Sequence, residues 1–309
     1  MDTIAKIRQK ARSKLMTIAL PEYNDPRVQE ARKIIEKEGI ARVLFLTPDK
    51  VDPVQKERYI QEFYERRKGK GTELEDVRAL FDDTLYYAAM LTREGKVDGF
   101  VAGASHTTPD MARAAIHCLE MDNRFSAACS CFIMSVPDCE YGDQGTFVFA
   151  DCGIIPEPTS RQLACIAVES AELAAKVLGL VPRVAILSYS TKGSAKGRAM
   201  EKIAEAMELI KSMAPDLLVD GELQVDAAIV PKVAQIKYPD SPIGGQANVL
   251  VFPDLNAGNI GYKLVERLGH ARAVGPLILG LNKPCSDLSR GCSAEDVSDC
   301  VAVTAIRAQ

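Results

Sequence analysis

The stretch LNKPCSDLSRGCSAED, residues 281–296, sets a hydroxyl, a guanidinium and a glycine in succession at Ser289-Arg290-Gly291, with acids following at Glu295 and Asp296. A guanidinium suits a dianionic phosphate, a neighbouring hydroxyl can donate to a developing oxyanion, and a carboxylate can accept a proton. Such a set fits acyl transfer from an acyl phosphate. Local helix chemistry accounts for part of it. Ser293 with Asp296 three residues on is a helix-start pattern, and Val297, Cys300, Val301 and Thr304 have helical spacing for one buried face. That pattern explains Ser293, Glu295 and Asp296 and leaves Ser289-Arg290-Gly291 without a structural reason.

Other segments carry chemically useful groups. In Ser188-Tyr189-Ser190-Thr191-Lys192-Gly193-Ser194, hydroxyls and a lysine lead into the helical run AMEKIAEAMELIKSM, a natural seat for an anion at a helix N-terminus. The spacing is not that of a P-loop, and helix capping is the plainer reading. The cluster Arg66-Arg67-Lys68-x-Lys70 follows the helical stretch VQKERYIQEFYE. It is either a solvated helix end or a seat for a polyanionic ligand arm. Arg113 falls on the first turns of a helix predicted to start near Asp110. A cation there opposes the helix dipole unless an anion sits beside it.

The elements that must position these groups alternate along the chain. MTIALPE (16–22), ARVLFLT and VDGFVAGA (97–104) read as buried strands, as do FIMSVP, GTFVFADCGI, RVAILSYS, DAAIVPKV and NVLVFPD. Between them lie helical patterns such as VQEARKIIEKEG (28–39), with Gly39 as its stop, and FDDTLYYAAMLTREG. This order predicts an α/β fold with largely parallel sheets and ligands at the C-terminal ends of strands. The 309 residues allow one large or two medium domains. A net charge of −4 gives no basic footprint for nucleic acid, and no apolar run reaches the length of a membrane span. The N-terminus MDTIAKIRQKARSKLM lacks the unbroken apolar core of a signal peptide, so a cytoplasmic location is expected. Nine scattered cysteines include no CxxC pair, and with three dispersed histidines they give no reason to expect a metal site.

The blocks ALPEYNDPRVQEA, VDGFVAGASHTTPD, FIMSVPDCEYGDQGTFVFAD, SYSTKGSAK, DGELQVDAAIVPKVA, FPDLNAGNIGYK and GLNKPCSDLSRGCSAED occur in an order that resembles the phosphate acetyltransferase (phosphotransacetylase) family over nearly the whole chain. The resemblance implies acetyl-CoA + phosphate ⇌ acetyl phosphate + CoA, by direct thiolate attack in a ternary complex. It also implies two α/β domains with the active site in the cleft between them, and a homodimer. Matching the motifs puts domain one at about 1–124 plus 276–309 and domain two at about 125–275. SRG would then supply the catalytic Ser289 and Arg290, and the acid six positions on, Asp296, would be the base. Arg67 would serve CoA, Arg113 would be a further active-site arginine near Arg290, Cys139 of VPDCEYG would line the CoA site, and Ser190, Thr191 and Lys192 would add substrate or CoA contacts. No resident cofactor is implied: CoA, acetyl phosphate and phosphate are substrates, and monovalent cations could stimulate. Two departures stand out. LFLTPDKVDP joins segments that the family usually separates by a further excursion, and Ala114 replaces a proline common after the helix arginine. The first predicts a trimmed edge of domain one, the second a looser helix start.

The chemistry sets a condition on Asp296. A free thiol and a free aspartate differ by about 4.6 pKa units, roughly 6 kcal/mol against proton transfer. The base is therefore expected to be partly buried and to face away from the phosphate seat. Transfer of a longer acyl group, or a non-catalytic acyl-CoA-sensing module, are the competing readings. The complete set of site residues counts against the second.

Overall fold

The computed structural model describes residues 2–309. In chain order the elements begin α1 (Thr3–Ala11), β1 (Thr17–Leu20), α2 (Pro26–Glu38), β2 (Arg42–Phe45), α3 (Pro53–Arg67), α4 (Leu74–Leu80), α5 (Thr84–Arg93), β3 (Gly99–Val101) and α6 (Thr108–Leu119). They continue with β4 (Cys129–Ser135), the one-turn α7 (Tyr141–Gln144), β5 (Thr146–Ala150), α8 (Ser160–Leu173), β6 (Arg183–Leu187), α9 (Arg198–Met213) and β7 (Leu218–Leu223). Last come α10 (Val225–Ile229), α11 (Pro231–Lys237), β8 (Val249–Val251), α12 (Leu255–Leu268), β9 (Arg272–Leu279), β10 (Cys285–Ser286) and α13 (Ala294–Ala308). The architecture is α/β, as the alternation predicts.

Two compact units emerge. One comprises Ala5–Glu120 with Leu281–Gln309, the other Met121–Gly280 with the N-terminal residues through Ile4. In the first, β2, β1, β3 and β10 lie side by side, all parallel. Parallel strands send their following loops off the same edge, where ligands usually sit. In the second, β5, β8, β6 and β7 are parallel, while β4 pairs antiparallel with both β5 and β9.

Local signals set most helix starts. Asp25 caps α2 ahead of Pro26, and Gly39 closes it in the left-handed conformation at φ 65°. Asp52 and Pro53 open α3, and Thr107 caps α6. The helix expected near Asp110 therefore begins slightly earlier, at Thr108, and Ala114 is buried within it. β2 runs into α3 through only the short turn Pro48–Lys50.

Two expectations need correction. DAAIVPKV is helical rather than a strand, split between α10 and α11 with Pro231 starting the latter. The strand lies just before it, in β7; proline at a helix start fits there because its missing N–H is not needed. The last helix buries more than the single face expected: every residue from Val297 to Ile306 is buried. It packs against α2, β1, β3 and β10 together, so it has neighbours on several sides.

Candidate active site

β10 ends at Ser286, and the chain then makes the turn that carries Ser289 and Arg290. Both side chains are exposed, and among the described residues the Ser289 hydroxyl accepts only the Gly291 N–H, at 3.2 Å. The turn is closed by Cys292 N–H on the Ser289 carbonyl, at 2.8 Å. Arg27, near the start of α2, braces it from behind. One guanidinium nitrogen donates to the carbonyls of Arg290 (2.7 Å) and Cys292 (3.2 Å), and the other to the Ala104 carbonyl (2.7 Å). Asp25 pairs with the same guanidinium at 2.6 Å. One arginine thus ties the turn to the loop after β3.

That loop, Gly103–Thr107, wraps a carboxylate. Glu22, just past β1, accepts the N–H groups of Gly103, Ala104, Ser105 and His106 at 2.8–3.1 Å, together with the Ser105 hydroxyl. His106 bridges Glu22 (Nδ1, 2.7 Å) and Asp83 (Nε2, 2.9 Å). Burial pushes the Glu22 carboxyl up, but the His106 ring and the surrounding N–H donors outweigh it and hold the group down at about 2. Asp83 and then Glu22 raise His106 to about 10 against its burial, so the ring is an imidazolium at neutral pH. A cavity of about 840 Å³ opens beside this pair, walled also by Tyr23, Asp25, Lys56 and Tyr87.

Past the turn, Ser293 caps α13 with Asp296 in a reciprocal capping box. The Asp296 Oδ2 accepts the Ser293 N–H and hydroxyl, each at 2.8 Å, and the Ser293 hydroxyl meets the Asp296 N–H at 3.2 Å. Asp296 is half-buried and Glu295 exposed. The Glu295 carboxylate pairs with Arg8 of α1, which also holds the buried Asp299.

Farther along α6 lies a second group. Arg113 is exposed and bonds Asp110 at 3.0 Å, the anion that its place in the helix requires. One turn on, at i+4, His117 is half-buried against Phe63. Burial, then the positive charges of Arg67, Arg113, Lys70 and Arg66, push this imidazole down to about 4. His117 is therefore neutral within a ring of four cations. Arg66 is spent on Glu120 at 2.6 Å, whereas the Arg67 guanidinium makes no ion pair among the described residues.

The remaining candidates belong to the unit Met121–Gly280. Cys139 is half-buried and packs with Val136 and Tyr141 against the core around Phe132, Phe147 and Tyr262. In the Ser188–Ser194 turn the donors face inward. Ser190 hydroxyl and Gly193 N–H both bind the Glu222 carboxylate, at 2.9 and 2.8 Å. Lys192 pairs with the buried Asp220 and donates to the Gly221 carbonyl at 2.7 Å. The anion seat expected from these residue types holds the protein's own Glu222. Thr191 likewise meets Gln224.

Ser289, Arg290 and Asp296 are thus held together on one turn and helix start, and Arg67 and Arg113 converge on His117. Sequence reading passed over Glu22, Arg27, His106, His117 and Asp287. The signals available were an acid after β1, an Asp-Pro-Arg helix start, a histidine ahead of a Thr-Thr-Pro cap, and an aspartate two residues before Ser289. None of these patterns is specific by itself.

A family model described as phosphate acetyl/butaryl transferase matches residues 2–305. The phosphate acetyltransferase of Thermoanaerobacterium thermosaccharolyticum is 45% identical over 328 residues, covering 100% of both chains. That aligned length exceeds the 309 residues here, so the relative carries positions that this chain lacks. The phosphate acetyltransferase of Bacillus subtilis is 43% identical over 99% of both chains. Among solved structures, a phosphotransacetylase from Streptococcus pyogenes superposes with a TM-score of 0.90 at 40% identity, covering 99% of this chain and 98% of that one.

Proposed function

The chain belongs to the phosphate acetyl/butaryl transferase family, and from that premise we propose that it transfers an acetyl group reversibly between coenzyme A and phosphate. The observation that carries the residue assignment is the Ser289–Gly291 turn: its side-chain donors are exposed while its carbonyls are pinned from behind by Arg27. A turn held through its backbone keeps its hydroxyl and guanidinium for a substrate at little reorganisation cost.

In the direction of acetyl-CoA synthesis, the CoA thiolate attacks the carbonyl carbon of acetyl phosphate. The carbon–sulfur bond forms, the bond from carbonyl carbon to bridging oxygen breaks, and phosphate leaves with the electron pair. Ser289 donates to the carbonyl oxygen as it gains charge, and Arg290 holds the phosphate. Arg67 and Arg113 hold a phosphate of CoA in the cationic ring around His117. Helix α6 links the two groups, since Thr108 and His117 lie nine residues apart, about 13 Å along the axis. Asp296 is the candidate acceptor of the thiol proton, although its Oδ2 also serves the capping box. Ser190, Thr191 and Lys192 are not given a substrate, because their donors already serve Glu222, Asp220 and Gln224. In this reading the protein is a cytoplasmic homodimer with CoA and acyl phosphate as substrates.

The test is thioester formation from CoA with acetyl, propionyl and butyryl phosphate, run for the wild type and for Asp296→Asn. Turnover is expected to be fastest with acetyl phosphate, and a preference for butyryl phosphate would change the acyl group assigned. Asparagine retains an oxygen for the Ser293 donors but loses basicity. A fall in kcat with unchanged melting supports Asp296 as the proton acceptor. Unchanged kcat would leave it as a helix cap alone.

A further inference from the structure

Two residues before Ser289, Asp287 is wholly buried. Its Oδ1 accepts the Leu288 N–H at 2.9 Å, and the carboxyl also takes a hydrogen bond from the side chain of Thr108, the first residue of α6. Its Oδ2 is sealed from solvent and has no hydrogen-bond partner among the described residues. The loop after β3 comes up against it without side-chain clearance. A Cβ on Gly103 would lie 2.1 Å from Asp287 Oδ1 and 2.6 Å from the Leu288 nitrogen, so only glycine allows this approach.

A carboxyl with one unsatisfied oxygen in a sealed space is costly to stability. Burial is the chief reason that Asp287 is pushed up to about 7, with the Glu22 charge adding to it and Thr108, Leu288 N–H and His106 opposing. Asparagine or a small apolar residue would fill the place at less cost. Such a group in such a place fits a role in turnover rather than in folding.

We propose that Asp287 is a positioning residue of the transfer site: its carboxylate, behind the Ser289–Gly291 turn, ties that turn to the Gly103–Thr108 loop and so holds Ser289 and Arg290 in register for the transferring group. The proposal rests on the assignment of Ser289 and Arg290 given above. The ionised carboxylate is the stronger acceptor for the Leu288 and Thr108 donors. Protonation weakens both bonds and loosens the turn. The charged and titratable groups around it are Glu22 after β1, His106 in the β3–α6 loop and Cys285 on β10, whose carbonyl takes a hydrogen bond from Arg307 of α13. Glu22 and His106 keep their charges from pH 5 to 9, and burial raises the Cys285 thiol to about 12, so Asp287 is the member of the group that titrates near neutrality.

The experiment measures kcat from pH 5 to 9 at saturating CoA and acetyl phosphate for the wild type, Asp287→Asn, Thr108→Val and Ser289→Ala, with thermal melting at pH 8. In the wild type kcat should fall on the acid side of about pH 7. Asp287→Asn should lie about tenfold below the wild type at pH 8, with the acid limb gone and KM for CoA within about twofold. Its melting temperature at pH 8 should not fall, because the carboxylate it removes is destabilising there. Thr108→Val, which removes one donor from the carboxylate, should move the acid limb to higher pH. An Asp287→Asn kcat equal to wild type, a loss of kcat that only follows a loss of melting temperature, or an unmoved limb in Thr108→Val would overturn the proposal. Ser289→Ala separates the two readings. If it keeps full activity the assignment of the turn fails, whereas an impaired Ser289→Ala beside a normal Asp287→Asn fails this inference alone.

Discussion

Two turns in this protein are made from nearly the same residues. Ser188–Ser194 follows a parallel strand with hydroxyls, a lysine and glycine; Ser289–Gly291 follows one with a hydroxyl, an arginine and glycine. In the first, Glu222 and Asp220 from the end of the neighbouring β7 take up the hydroxyl, the N–H and the ammonium. In the second, no nearby acid takes the turn's side chains: Glu22 is engaged with its own loop, Asp25 with Arg27 and Asp296 with Ser293, while Asp287 is sealed behind the turn on the Leu288 N–H and the Thr108 side chain. Donors that face an internal carboxylate bind the fold together. Donors whose local acids are already satisfied are left for a ligand. The difference lies in what the next strand or helix brings alongside, not in the turn itself.

The contrast can be broken most directly at Ser289. Replacing it with alanine should lower kcat by about 100- to 1000-fold, the usual cost of an oxyanion donor, with melting unchanged; steady-state kinetics with acetyl phosphate would show it. The matching change in the other turn, Lys192→Ala, should do the reverse. It leaves the buried Asp220 without its cation, a loss of about 2–3 kcal/mol, less than for a fully buried pair because the lysine is partly exposed and Ser241 still donates to Asp220, read as a lower urea midpoint, while KM for CoA and kcat stay within about twofold. A raised KM would return the Ser188–Ser194 turn to the substrate site. Arg67→Ala sharpens the comparison from the ligand side. KM for CoA should rise about tenfold, worth about 1.4 kcal/mol, and much less for CoA lacking its 3′-phosphate. Equal losses would show that Arg67 does not read that phosphate.

The smallest expected effect is on stability against pH. His117 sits below its ordinary pKa, at about 4, so between about pH 6.5 and 4 the unfolded chain binds the extra proton. Its contribution is present above pH 6.5 and is lost as pH falls through that window. With its partial exposure allowed for, the loss is on the order of 1 kcal/mol. Urea unfolding of His117→Gln at pH 4.5 and 7.5 should show a shallower difference than in the wild type; an identical difference would mean that neither burial nor the cations lower this ring.

Much of the fold was legible because its signals are local. The strand at MTIALPE, the stop at Gly39 and the capping box of Ser293 and Asp296 depend on residues a few positions apart. DAAIVPKV misled because its apolar run was too short to separate helix from strand; Pro231, at the start of α11, marked the answer. In the candidate site, Ser289 and Arg290 drew notice through spacing alone. Arg27 and Asp287 did not, since each acts through partners that lie far away in sequence, as with Arg27 and the carbonyl of Arg290, or through burial, as with Asp287.

The sequence by itself determined the alternating α/β order, the helix ends and, through blocks that run the length of the chain, the family. Those rest on periodicity, capping and residue identity, all of which are written along the chain. Only the tertiary structure decided which donors are already spent and which carboxylates are buried. Glu222 filling one anion seat, Glu22 wrapped by four N–H groups and Asp287 sealed behind its turn are outcomes of packing. Hydrogen-bond satisfaction and desolvation depend on neighbours in space, and those neighbours exist only once the chain has folded.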